Sequence, residues 1–205
     1  MKNPKKLATY RPLNKRQLAE IVDYYATAFA GWDLINGEVF ARAQGPIVQH
    51  LGFEPLRYAA YRPWSAIGTL PLPTVRMLHQ MLDVKHRQIE MRAHPTRWTS
   101  VVEAIEQQFY PSVRKPLNLE EVKGRCEQSA RESTNDLCML AILSAYLGNK
   151  EQALSYCDRI QTSPLPTLAP RLDWEQRHKE FGRQLRQAIE AGTERQFLDT
   201  TAELT

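Results

Sequence analysis

Long apolar runs are missing from this chain of 205 residues. No stretch approaches the ~18–20 apolar residues that a membrane helix needs. The opening, MKNPKKLATYRPLNKRQ, is basic but lacks the apolar core of a secretory signal. The expectation is a protein that stays in the compartment where it is made, with no membrane partner. Cysteine is scarce: Cys126, Cys138 and Cys157, with no Cys-x-x-Cys among them. An odd number at such spacing makes no disulfide framework. Cys138 and Cys157 fall in apolar helical patterns, where a thiol behaves as a small hydrophobe, so a reducing cytoplasm is the expected setting.

Signatures of catalysis are equally sparse. The nine glycines stand singly, so no glycine-rich loop cradles a phosphate. Gly-x-Ser-x-Gly is absent, and no cysteine has the flanks of a known catalytic signature. Cys157 and His178 can be written down as a dyad, but any chain of this length offers such a pair. Glu120 and Glu121 are more simply acidic residues in the first turn of a helix, facing its dipole. Three of the five histidines lie in HQMLDVKHRQIEMRAHPTRW. On a helix His79 and His86 would stand two turns, ~10 Å, apart; on a strand they would point to opposite faces. Within this stretch His-x-x-x-His and His-x-Glu pairings are missing, and His94 lies a further eight residues on. The reading is a polar face on a strand or connection, with no metal, no cofactor and no catalytic constellation.

What the chain does have is uneven charge. Residues 1–115 carry 16 Lys/Arg against 9 Asp/Glu, whereas residues 116–205 carry 11 against 14. Such polarity suits a partner of either sign, or brings copies together as a homodimer. A nucleic-acid binder more often concentrates its charge in a basic stripe with interleaved aromatics. The cluster Arg57, Tyr58, Tyr61, Arg62 and Trp64 is the nearest approach, and direct nucleic-acid binding is not expected.

Hydrophobic periodicity divides the chain in the same place. Asn14 is placed to cap a helix in which Leu18, Ile21, Val22, Tyr25 and Phe29 recur at helical spacing, and Gly31 marks its end. The period then shortens. Asn36-Gly37 is a strong hairpin signal, and PIVQHLGFE, RYAAYRP and SAIGTL read as pieces of a meander broken by Pro46, Pro55, Pro63, Pro71 and Pro73. From Val75 the alternation places Val75, Met77, His79 and Met81 on one face and Leu78, Gln80, Leu82 and Val84 on the other. A helix over about 74–89 also fits, but the alternating surroundings favour a strand. The helical period returns at Trp98, Val101, Val102, Ile105 and Phe109, and YPSVRKPLN reads as a linker.

Beyond it nearly everything is helical. NLEEVKGRCEQSARES opens at Asn118 with a capping-box pattern. TNDLCMLAILSAYLG is the most apolar stretch, and LDWEQRHKEFGRQLRQAIEAG buries Trp174, Phe181, Leu185 and Ile189. In SAYLGNKEQALSYCDRI, Tyr146, Gly148, Ala153, Leu154 and Tyr156 resemble the second half of a tetratricopeptide repeat. Small Ala145 and Ala153 let two antiparallel helices approach, but no second copy follows at the repeat's period. The predicted fold is α+β: an N-terminal α+β region over 1–115 with a small, mainly antiparallel sheet, then a helical bundle over 116–205 containing that hairpin.

YRPLNKRQLAEIVDYYATAFAGW, FARAQGPIVQHLGFEPL, AYRPWSAI, LHQMLDVKHRQI and EQQFYPSVRKPLNLEEV together resemble the immunity proteins encoded beside Rhs-type and other polymorphic toxins, effectors of bacterial type VI secretion. The resemblance spans roughly residues 10–160. It implies a cytoplasmic, non-enzymatic inhibitor that binds one toxin domain and occludes or distorts its active site; it transfers no functional residues. A tight interface takes ~800 Å² of one partner, and the sequence offers two surfaces for it. One is an acidic helix bearing Glu120, Glu121, Glu127, Glu132 and Asp136, which would mimic a polyanion. The other is Arg57, Tyr61, Arg62 and Trp64, which would anchor in an acidic or apolar pocket. A helical adaptor without a toxin partner is the alternative.

Overall fold

The computed structural model describes residues 13–72, 74–83, 88–164 and 169–202. Helix α1 (Lys15–Ala28) starts where the sequence places it. The Asn14 side chain accepts from the Gln17 backbone at 2.9 Å, and the Gln17 side chain accepts from the Asn14 backbone at 3.1 Å, a reciprocal capping box. The strands follow: β1 (Asp33–Ile35), β2 (Val39–Gln44), β3 (Ile47–Leu56), β4 (Ala60–Thr69), β5 (Arg76–Met81) and β6 (Ile89–Glu90). The order is β1-β2-β3-β4-β5, with β6 also pairing β4. Asn36 and Gly37 turn β1 onto β2 at φ 52° and 71°, setting Leu34 opposite Phe40. The sheet is antiparallel, as its alternation predicts.

Pro46 and Pro71 fall between strands as expected and Pro73 lies outside the described residues, but Pro55 and Pro63 do not break the meander, since β3 and β4 run ten residues each through them. The Pro63 carbonyl accepts from Leu82 N at 3.1 Å, on the side where β4 meets β5 and β6. In an antiparallel strand the N–H and C=O of one residue point the same way. Proline's missing donor therefore falls past Ala60 and Tyr61, where the pairing with β6 ends and β4 changes partner.

Strand β5 departs from simple alternation. Val75 and Met77 are buried, but Leu78 has φ 52°, and beyond it His79 and Met81 are exposed while Leu82 is buried. The expected face of Val75, Met77, His79 and Met81 is thus split by one residue in the left-handed region. Amide side chains occupy the flank of this strand. Asn135 donates to Arg76 O at 3.0 Å and accepts from Arg76 N at 3.3 Å, and Gln80 accepts from Tyr110 N at 3.1 Å. Such bonds satisfy backbone groups that a sheet edge leaves open.

A single 3₁₀ turn at Met91–Ala93 leads into α2 (His94–Gln108). After it come α3 (Leu119–Ser129), α4 (Thr134–Tyr146), α5 (Lys150–Thr162), α6 (Ala169–Ala191) and α7 (Glu194–Ala202). Helix α3 stops at Ser129, short of the ARES tail predicted to continue it, because Ala130 turns extended and Ser133 caps α4 instead. Every residue from Leu137 to Ala145 is buried, as the all-round apolar pattern requires. Gly148, at φ 82°, turns α4 into α5, and Ala145 and Ala153 are buried as a close helical hairpin needs.

The chain forms two compact units: Met1–Arg42, His50–Ser65 and His79–Pro116 make one; Ala43–Gln49, Ala66–Leu78 and Leu117–Thr205 make the other. A boundary at 115/116 places the strand pieces 43–49 and 66–78 with the N-terminal region, whereas their contacts place them with the helices. The core of the first unit gathers Ile21, Tyr25 and Phe29 of α1, Val101 and Ile105 of α2, and Phe40, Leu51, Phe53 and Tyr61 of the strands. The core of the second gathers α4 with Ile47, Ile67, Val75 and Met77, and with Ile160, Leu185 and Leu198. Gly45 shows how closely the second is packed: at φ 56°, a Cβ there would overlap the Tyr146 ring.

Candidate partner-binding surface

The β3–β4 hairpin carries the basic–aromatic cluster, and its turn is unusual. Tyr58 and Ala59 both have positive φ, 62° and 50°. Two successive left-handed residues are the geometry of a tight primed hairpin turn, which normally takes Asn-Gly. In tyrosine and alanine it costs about 1 kcal/mol or more per residue. The turn is held from outside: Met91 N donates to Ala59 O at 2.9 Å, continuing the pairing of Ala60 with Glu90. Tyr58 is left 62% exposed, the most exposed of the large hydrophobic side chains described. Beside it lies an open concavity of about 640 Å³ lined by Gln17, Tyr58, Ala59, Glu90, Met91 and Arg92.

The rest of the cluster is dispersed. Arg57 is exposed at the turn. Tyr61 is not a surface anchor: it is fully buried, because the strand alternates and position 61 faces α1 and α2. Its hydroxyl sits 2.8 Å from the Tyr25 hydroxyl and 2.7 Å from His94 Nδ1. Arg62 is half-buried and donates from Nε to Glu54 Oε2 at 3.0 Å. Trp64 is half-buried and stacks on His79, ring centroids 5.8 Å apart. The indole lies over Gly52, where a Cβ would stand 2.5 Å from it. Gly52→Ala is therefore expected to push the indole off the strand, at a cost of about 1–3 kcal/mol. An altered tryptophan emission that vanishes in a Trp64→Phe background is the measurement.

The acidic residues do not form one helix face. Glu120, Glu121 and Glu127 lie on α3, Glu132 in the following loop and Asp136 in the first turn of α4. Three of them have partners within the protein. Glu127 accepts from Lys123 Nζ at 2.7 Å, Gln152 Nε2 at 2.9 Å and the Tyr156 hydroxyl at 3.3 Å. The bond from Lys123 is the main reason its carboxyl titrates below the usual range. Glu132 pairs with Arg159 at 3.1 Å, and Asp136 accepts from Arg131 N at 2.8 Å. Glu120 and Glu121 remain exposed at the start of α3.

The histidines part company. His79 stacks on Trp64, His86 lies outside the described residues, and His94 is fully buried at the start of α2. No group of three or more His, Cys, Asp or Glu could hold a metal ion among the described residues. His178 is fully buried too, with Nδ1 3.5 Å from Thr134 Oγ1 and its ring against Trp174. Burial raises the Cys157 thiol to about 11, so at neutral pH it is not a thiolate. Burial also holds both His94 and His178 at about 4, and the second nitrogen of each, Nε2, is buried without a hydrogen bond.

The sequence sets Tyr58 in the basic–aromatic cluster but offers Tyr61, which is buried, rather than Tyr58 as its anchor. Gln17, Met91 and Arg92 were missed, since nothing in the sequence brings positions 17, 58 and 91 together. The only readable hint was Arg57-Tyr58 between two alternating runs. No described helix is long and apolar enough to cross a membrane. In comparisons with known proteins, no family, no curated protein and no solved structure matches this chain.

Proposed function

We propose that this protein is a binding protein, specifically an immunity protein that neutralises a cognate bacterial toxin acting in the cytoplasm. One observation carries the reading: Tyr58 is held exposed on two strained residues beside a 640 Å³ concavity. Backbone outliers of this kind concentrate where a surface has a task. Tyrosine is also among the residues that most often dominate protein–protein interfaces. The resemblance of residues 10–160 to immunity proteins of polymorphic toxins supplies the partner class.

The test is co-expression in a sensitive host. The open reading frame adjacent to this gene is expected to arrest growth alone and to be harmless with this protein present. A harmless neighbour, or one that kills equally in both strains, overturns the proposal.

A further inference from the structure

Independently of that reading, we infer that the outer edge of β1 is a contact between two copies of this chain. Asp33–Ile35 pairs antiparallel with the same strand of a second copy, in a register centred on Leu34. The two ends of the sheet are finished differently. At β5, Asn135 bonds both backbone groups of Arg76, and just beyond the strand Asp83 N donates to Gln108 Oε1 at 3.0 Å. Side-chain amides thus close that edge. At the other end β1 closes the strand order and pairs β2 on one side. From Trp32 to Asn36 it carries no lysine, arginine or proline, the residues that commonly guard an edge. Leu34 and Ile35 are instead left 46% and 42% exposed.

Backbone geometry selects the occupant. Ile35 O accepts from Glu38 N at 3.1 Å, so the Ile35 carbonyl faces β2. Along an antiparallel strand, successive residues present their N–H and C=O to opposite sides. Both groups of Leu34 therefore face outward. So does Asn36 N–H, trans to the Ile35 carbonyl across a planar peptide, and so does Trp32 C=O by the same alternation. A two-fold axis through Leu34 answers each of these groups with its own copy. The two Leu34 residues exchange both bonds, and each Asn36 N–H meets Trp32 O of the second copy. Self-complementarity of this kind is what a two-fold interface requires. The register also sets Leu34 against Leu34, an apolar cross-strand pair on the face shared with Phe40. So short a strand buries well under the ~1,200 Å² of a stable interface. Association is therefore weak, half-complete on the order of 100 µM.

Sedimentation of the full chain from about 10 µM to about 1 mM reads the dimer. Leu34→Lys sets two ammonium groups opposite each other and should raise the half-association concentration at least ~10-fold. Its melting temperature should match wild type, because the side chain already stands half in water. Asp33→Asn should tighten the dimer about twofold, since the two carboxylates lie on a diagonal about 7–8 Å long. Cross-linking reads the register. Oxidised glutathione is the oxidant: it is reduced to two thiols as two cysteines join. The native Cys126, Cys138 and Cys157 are buried and do not interfere. Leu34→Cys places two Cα atoms about 5.5 Å apart, within disulfide reach, whereas Ile35→Cys places them on the longer diagonal, outside it. Leu34→Cys should therefore link at least ~10-fold faster, although the two positions are similarly exposed in one copy. A chain that stays monomeric throughout overturns the inference, as do equal linking rates or a dimer indifferent to Leu34→Lys. A Leu34 amide protected from hydrogen exchange at every concentration means that the edge is covered within one chain, and overturns it too. None of these outcomes bears on co-expression, so the immunity reading stands or falls separately.

Discussion

Acidification from pH 7 to pH 4 is expected to remove on the order of 3 kcal/mol from each unit, through His94 in the first and His178 in the second. Both imidazoles are fully buried, and burial lowers each from 6.5 to about 4. Because the folded pKa lies below the unfolded one, the unfolded chain binds more protons between these values. The contribution is complete above about pH 6.5, shrinks as the pH falls, and is gone below about 4. Against the ~5–15 kcal/mol that holds a typical domain together, the loss is large. Around His94 stand Tyr24 and Tyr25 from α1 and Tyr61 from β4. A carboxylate that would welcome the imidazolium is not among them. The depressed carboxyls of Glu127 and Glu194 add a further loss that begins as the pH falls toward 4.5, the ordinary carboxyl value. Urea unfolding at a series of pH values checks the slope, and His94→Gln should flatten it for the first unit. Imidazole proton signals of His94 and His178 that titrate near 6.5 in the folded protein would refute this account.

Tyr61→Ala is expected to cost about 3–5 kcal/mol of stability, in the range of a large aromatic removed from a core. The site is fully buried among Tyr25, Phe53 and His94. The milder Tyr61→Phe keeps the ring and removes the hydroxyl that links Tyr25 to His94 Nδ1 at 2.8 and 2.7 Å. It leaves both partners short of a bond in a dry interior, at a cost of about 1–3 kcal/mol. Denaturant midpoints of the two variants measure the difference. Midpoints matching wild type would mean that the ring is not in the core. A loss of partner binding in Tyr61→Ala would report unfolding of the first unit, so only Tyr58 variants test the surface.

Where the sequence speaks through short-range chemistry, it is read correctly. Asn14 with Gln17, Asn36-Gly37, and the apolar run of α4 each contain their own structural reason within a few residues. So does the Tyr146–Gly148–Ala153 hairpin, whose small residues and turn glycine are local facts. The failures come from longer range or from local rules that are broken. Leu78 at φ 52° has no sequence signature, yet it re-aims His79 and Met81. Tyr58 and Ala59 adopt a turn that their residue types disfavour, with Met91 fastening it across 32 positions of chain. Pro63 looks like a strand breaker until the place where β4 changes partners is known. Tyr61 and Tyr58 look equally surface-bound as a string, and only the pleat decides which is core. The acidic row dissolves for the same reason, since its partners Gln152, Tyr156 and Arg159 come from another helix.

The interleaving of the two units constrains the gene as much as the protein. The second core draws Ile47, Ile67, Val75 and Met77 from strand segments that lie, in chain order, between pieces of the first unit. Joining two independently folding chains end to end does not produce such an interleaved pair of cores. A crossover at the 116/117 seam would pair one lineage's helices with another's strands, and four core positions would have to match by chance. Recombination that keeps the fold must exchange several blocks at once. Single substitutions at exposed positions such as Arg57 and Arg92, by contrast, leave both cores intact.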